Sequence, residues 1–64
     1  MNRTFILDCI SLIQSNENQF MTDGEFNELC ELHQIHENYA IQQLFAIDLF
    51  VRVDNGFFLK SIND

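Results

Sequence analysis

The stretch Met21-Thr22-Asp23-Gly24-Glu25-Phe26 fixes a helix start near the middle of the chain, and the segments on either side must be arranged around it. Thr22, with Glu25 three positions on, forms a capping box, in which each side chain satisfies a backbone donor near the other. Met21 and Phe26 occupy the two ends of a hydrophobic staple. Asp23 and Glu25 add negative charge where the helix dipole is positive. The spacing of Phe26, Leu29, Cys30 and His33 carries this helix forward to an end near Gln34.

Before this point, Phe5, Ile6, Cys9, Ile10 and Ile13 recur at spacings of three and four, with Asp8, Ser11 and Gln14 opposite. That pattern predicts an amphipathic helix from Thr4 to about Gln14. Ser15 to Gln19 reads as a polar turn, since short polar side chains compete for backbone hydrogen bonds. After the second helix, Gln34 to Asn38 supplies a break, with Asn38 or His36 as the cap of a third helix containing Tyr39 to Phe50. That segment has apolar residues on nearly every side and no charge between Glu37 and Asp48, which predicts a helix buried in the middle of the domain.

The remaining stretch, Phe50 to Ile62, has two apolar runs around Asp54-Asn55-Gly56 and reads as a β-hairpin. A two-residue turn at Asn55-Gly56 mixes both faces. A three-residue loop with Gly56 left-handed pairs Val53 with Phe57 and Val51 with Leu59, making one face wholly apolar. A slip of one residue exchanges the faces of a strand, so the segregated register is the expected one. Its outer face carries Arg52, Phe58 and Lys60, with Phe50 near the base.

Sixty-four residues make one domain, residues 1–64, and such a chain buries only about 60% of its unfolded surface. The hydrophobic fraction of 47% and seven phenylalanines argue for a folded chain rather than a disordered one. No apolar run approaches the roughly 18 residues of a membrane span, no secretory signal pattern opens the chain, and the expected location is cytoplasmic. Cys9 and Cys30 share helical faces with Phe5, Ile13, Phe26 and Leu29, and read as buried thiols.

The order of helix, polar turn, capped helix, break, helix and hairpin resembles the winged-helix variant of the helix-turn-helix, from roughly Thr4 to Ile62. The resemblance is one of architecture. It implies a mainly α domain of three helices with a small β-hairpin, and a short strand at Gln19 to Met21 added to the wing. It also implies that His36, Asn38, Tyr39, Gln42 and Gln43 lie near the start or the exposed side of the recognition helix, where Asn and Gln can read adenine edges.

The charge points elsewhere. Arg3, Arg52 and Lys60 stand against ten carboxylates, for a net charge of -7, which disfavours a direct grip on phosphates. No Lys or Arg occurs in the second or third helix. Winged helices also serve as protein-interaction modules, and fold alone does not choose. The large side chains Phe20, Tyr39, Leu49, Phe50, Phe57 and Phe58 exceed what a three-helix core needs, so some are expected at the surface, with Phe58 between Arg52 and Lys60 as an anchor.

Chemistry is thinly represented. His33 and His36 make a metal pair only if one helix runs through both, and a break is expected between them. Asp23-Gly24 resembles the centre of an EF-hand loop, but Gly24 as the sixth position puts Gln19 first, Met21 third and Cys30 twelfth, which gives no oxygen cage. Gly24 and Gly56 are too far apart to form one phosphate loop, and Ser11, Ser15 and Ser61 lack a nucleophile motif.

The expected function is therefore a small acidic protein-protein interaction module, an adaptor or inhibitor without enzymatic activity or cofactor. Its partner would be another protein, including a basic nucleic-acid-binding protein, through Phe58, Arg52, Lys60, Tyr39, Gln42 and Gln43. The Asn- and Ile-rich, Arg-poor composition fits an AT-rich coding source, and a tiny acidic chain suits a phage or mobile-element effector. The alternative is a transcriptional regulator that binds DNA as a homodimer through the third helix and the wing.

Overall fold

The computed structural model describes residues 3–60, so Ser61 and Ile62 of the expected hairpin lie outside the described residues. The order is α1 (Arg3–Ser15), β1 (Phe20–Thr22), α2 (Asp23–His33), α3 (Glu37–Ile47), β2 (Phe50–Val53) and β3 (Gly56–Leu59). The strands form one antiparallel sheet in the order β1-β3-β2. The chain is thus mainly α with a small three-stranded antiparallel sheet, an arrangement compatible with the winged-helix resemblance.

Local signals account for most of the boundaries. The Thr22 hydroxyl accepts from the Glu25 amide at 3.1 Å while the Glu25 carboxylate accepts from the Thr22 amide at 2.9 Å, which completes the capping box and starts α2. The helix stops where Gln34 turns left-handed (φ 58°), its amide donating back to the last carbonyls. His36 caps α3: its Nδ1 accepts from the Asn38 amide at 3.1 Å, which requires the neutral ring with its proton on Nε2. The break expected between His33 and His36 is therefore present.

The turn after α1 is held by side chains. Asn16 donates to the Phe20 carbonyl at 2.7 Å, and the left-handed residue is Gln19 (φ 56°). Beyond it β1 joins the sheet, pairing Phe20 with Phe58, Met21 with Phe57 and Thr22 with Gly56. The wing strand expected at Gln19 to Met21 exists, one residue further along.

The core lies between the helices and the inner face of the sheet. Phe5, Ile6, Cys9 and Ile13 come from α1, Phe26 and Cys30 from α2, Ala40 and Leu44 from α3, and Met21, Phe50 and Phe57 from the strands. Phe26 stands between two aromatic neighbours, edge-on to Phe5 at 6.1 Å and tilted against Phe57 at 4.9 Å. Aromatic pairs in these geometries contribute about 0.5–1.5 kcal/mol beyond their area.

Three expectations are corrected. The third helix does not extend to Phe50, because Asp48 adopts the left-handed conformation (φ 61°) and ends it. Nor is it buried all round, since only Ala40 and Leu44 on it are fully buried. The hairpin register also differs. Asp54-Asn55 is a two-residue turn, Gly56 is not left-handed, and the pairs are Val53 with Gly56, Arg52 with Phe57, Val51 with Phe58 and Phe50 with Leu59. Strand β3 keeps its expected faces, Phe57 inward and Phe58 outward, but those of β2 are exchanged: Phe50 and Arg52 turn inward, Val51 and Val53 outward.

The reason is tertiary. Inward, Phe50 fills more of the core than a valine, and Arg52 finds three partners. Its guanidinium pairs with Asp23, reaches the Gly56 carbonyl at 3.5 Å and lies 4.6 Å over the Phe57 ring. The Asp23 amide, an orphan donor at the start of α2, is satisfied by the Asn55 carbonyl at 3.0 Å. The hairpin is thereby fastened to the start of α2.

Candidate functional site

The residues expected to meet a partner do not form one surface. Phe58 is outward and 41% exposed, in a row across the sheet with Val51 on one side and Phe20 on the other. Its ring lies 4.9 Å from that of Phe20. Arg52 is on the opposite face of the sheet, engaged as described. Lys60 is exposed but pairs with Asp48 at 2.6 Å, joining the end of β3 to the end of α3. Both wing cations are thus neutralised by the protein's own carboxylates.

The exposed side of α3 follows from helical geometry. Taking about 100° per residue, Tyr39, Ala46, Gln42, Asn38 and Phe45 fall within roughly 120° of one another. All five are exposed, whereas Ala40 and Leu44 point to the core. Tyr39 and Gln42 therefore sit where the resemblance placed them. Gln43 is turned toward the interior, its Oε1 buried with no hydrogen-bond partner among the described residues. Phe45, 53% exposed, is a surface aromatic that composition alone left unnoticed. Its spacing of three from Gln42 and seven from Asn38 was the available signal, since it shares a stripe with two polar amides.

Electrostatically, α2 and α3 carry carboxylates and no Lys or Arg. No Lys or Arg occurs between Thr4 and Val51. His33 donates from Nε2 to the Asp8 carboxylate at 2.6 Å, and His36 is occupied as a helix cap. Among the described residues, Glu28, Glu31 and Glu37 have no ion-pair partner. A shallow open recess beside the first turn is lined by Asn16, Glu17, Asn18, Phe20, Thr22 and Glu25, with the Glu25 carboxylate already committed to the capping box.

Neither cysteine is set up for chemistry. Both are free and buried. Burial first, then the neighbouring Cys30 and Asp8, pushes the Cys9 thiol up to about 12. Burial and the nearby Glu37 carboxylate raise that of Cys30. A raised thiol is a protonated, unreactive one. Among the described residues no group of three or more His, Cys, Asp or Glu is arranged to hold a metal ion, and no helix is long and apolar enough to cross a membrane.

The Cys9 shift predicts alkaline sensitivity. An unfolded thiol loses its proton near its ordinary value of 9.0, while the folded Cys9 keeps it to about 12, so rising pH favours the unfolded chain across that interval. Stability should be intact below the lower value and fall steadily above it. Urea titrations between about pH 8 and about pH 11 measure this, and a Cys9→Ala variant, though less stable, should show a shallower decline.

Comparison with protein-family models, with curated proteins and with solved structures gives no match.

Proposed function

We propose that this chain is a small acidic protein-interaction module, an adaptor or inhibitor acting in the cytoplasm on a winged-helix scaffold, with no catalytic role. The observation that carries the reading is the fate of its cations. A winged helix that holds DNA needs Lys and Arg around the recognition helix and wing to replace counterions on phosphates. Here α2 and α3 have none, Arg52 pairs with Asp23 and Lys60 pairs with Asp48.

What remains exposed suits a protein partner. Tyr and Phe are the side chains that anchor interfaces, and Tyr39, Phe45 and Phe58 are all available. A phage or mobile-element effector that blocks a basic host protein is a role in keeping with this charge. The second reading, a DNA-binding regulator, draws on the exposed Asn38 and Gln42 amides, which have the donors and acceptors to read adenine.

One measurement separates the two. In a mobility-shift titration at low salt, micromolar protein should leave mixed-sequence duplex DNA unretarded. Retardation that weakens steeply as salt is added would establish the second reading and end the first.

A further inference from the structure

We infer that the free edge of β2 is where a second copy of this chain docks, the two β2 strands pairing antiparallel about a two-fold axis at Val51 so that two three-stranded sheets become one. The inference goes beyond the interaction reading above and does not rest on it.

The two edges of the sheet are not alike. In an antiparallel pair, residues that exchange backbone hydrogen bonds with the strand opposite alternate with residues whose amide and carbonyl point away from it. For β1 the phase is set by the Asp23 amide, bonded to the Asn55 carbonyl, so Phe20 and Thr22 turn their backbone groups outward. The chain closes that edge itself. Asn16 donates to the Phe20 carbonyl at 2.7 Å, and the Glu25 carboxylate accepts from the Thr22 amide at 2.9 Å. For β2 the phase is set by the Lys60 amide, which donates to the Leu49 carbonyl at 2.7 Å. Phe50 and Arg52 therefore each direct an amide and a carbonyl toward the open edge. Among the described residues none of these four groups has a hydrogen-bond partner. A row of alternating backbone donors and acceptors is matched by an extended strand.

Two features select a second copy as that strand. The first is register. With Val51 opposite Val51 of the second copy, Phe50 falls opposite Arg52 and Arg52 opposite Phe50, so the outward donors of each copy meet the outward acceptors of the other. Val51 is outward and 39% exposed, and the apolar row Phe20, Phe58, Val51 then runs on into the same row reversed. The second is charge. From Asp48 to Lys60 the chain has two carboxylates, Asp48 and Asp54, and two cations, Arg52 and Lys60, so this stretch sums to zero and the whole excess of -7 lies elsewhere in the chain. Two like-charged copies can meet here. Arg52 is held by Asp23 and brings no unpaired charge to the joint. Asp54 of one copy falls opposite Asp48 of the other, which Lys60 already offsets.

Sedimentation equilibrium of the full chain at about 0.15 M salt should give a monomer-dimer equilibrium with a Kd below about 100 µM. Val51→Lys sets two ammonium groups against each other at the axis and should raise that Kd at least about tenfold, whereas Val51→Thr, still β-branched, should stay within about threefold. Phe45→Ala, on the exposed side of α3, should leave the Kd unchanged. Circular dichroism checks that each variant is folded. In the unsubstituted chain, the amide protons of Phe50 and Arg52 should move furthest downfield in NMR spectra as concentration rises, while those of Tyr39 and Phe45 stay in place. This second measurement tests the pairing even where Val51→Lys fails to fold. A chain that remains monomeric up to about 500 µM overturns the inference. So does a dimer that a folded Val51→Lys variant leaves intact, or one whose formation does not shift the Phe50 and Arg52 amides. A dimer dispersed by Phe45→Ala overturns it in favour of contact through α3.

Discussion

Replacing Gly56 with alanine should unfold the protein or nearly so. A Cβ at this position would stand 2.2 Å from the Met21 carbonyl oxygen and 2.3 Å from Phe20 Cζ. The phenylalanine tip can swing aside, but the carbonyl belongs to the backbone of β1, so the strand itself must move away from β3. Overpacking of a closed site costs about 1–3 kcal/mol, and here it also breaks strand pairing. A chain of this length has roughly 3–10 kcal/mol in total. Gly24 is the internal control. A Cβ there meets only Thr22 Oγ1 at 3.8 Å, so Gly24→Ala should be neutral or stabilising, by up to about 1 kcal/mol from helix propensity. Urea denaturation of the two variants is the measurement, and equal midpoints would refute the account of Gly56.

The second large effect is expected at Phe57. Truncation to alanine should cost about 3–5 kcal/mol, since the ring is fully buried, packs against Phe26 and supports the Arg52 guanidinium. The neighbouring Phe58→Ala should cost less than about 1 kcal/mol, because that ring is already 41% exposed. Two adjacent phenylalanines with opposite sensitivities are what an alternating strand with one buried face requires. Comparable losses at both positions would show that the outer face of the sheet is covered in solution.

The elements that were legible in the sequence are those specified by neighbours in the chain. The capping box from Thr22 to Glu25, the periodicity of Phe5 to Ile13 and the break between His33 and His36 each depend on residues within a few positions of one another, and each is found. The candidate site was legible only in part. Tyr39, Gln42 and Phe58 are exposed as expected, while Arg52 is on the other face of the sheet and Gln43 is turned inward. Phe45 escaped notice because an apolar residue in a hydrophobic helix reads as core unless the position of the helix against its neighbours is known.

The order of elements, the mainly α class and the absence of cations from Thr4 to Val51 were settled by the chain alone, because helix caps, apolar spacing and formal charge are local or summed properties. The register of β2, the exposure of one side of α3 and the internal neutralisation of Arg52 and Lys60 were settled only in three dimensions. Each is fixed by contacts between distant residues: Arg52 with Asp23, Asn55 with Asp23, Gly56 with Met21, Lys60 with Asp48. Apolar segregation within the hairpin favoured the other register by a small margin, and a guanidinium with a carboxylate and an aromatic ring to meet reversed it.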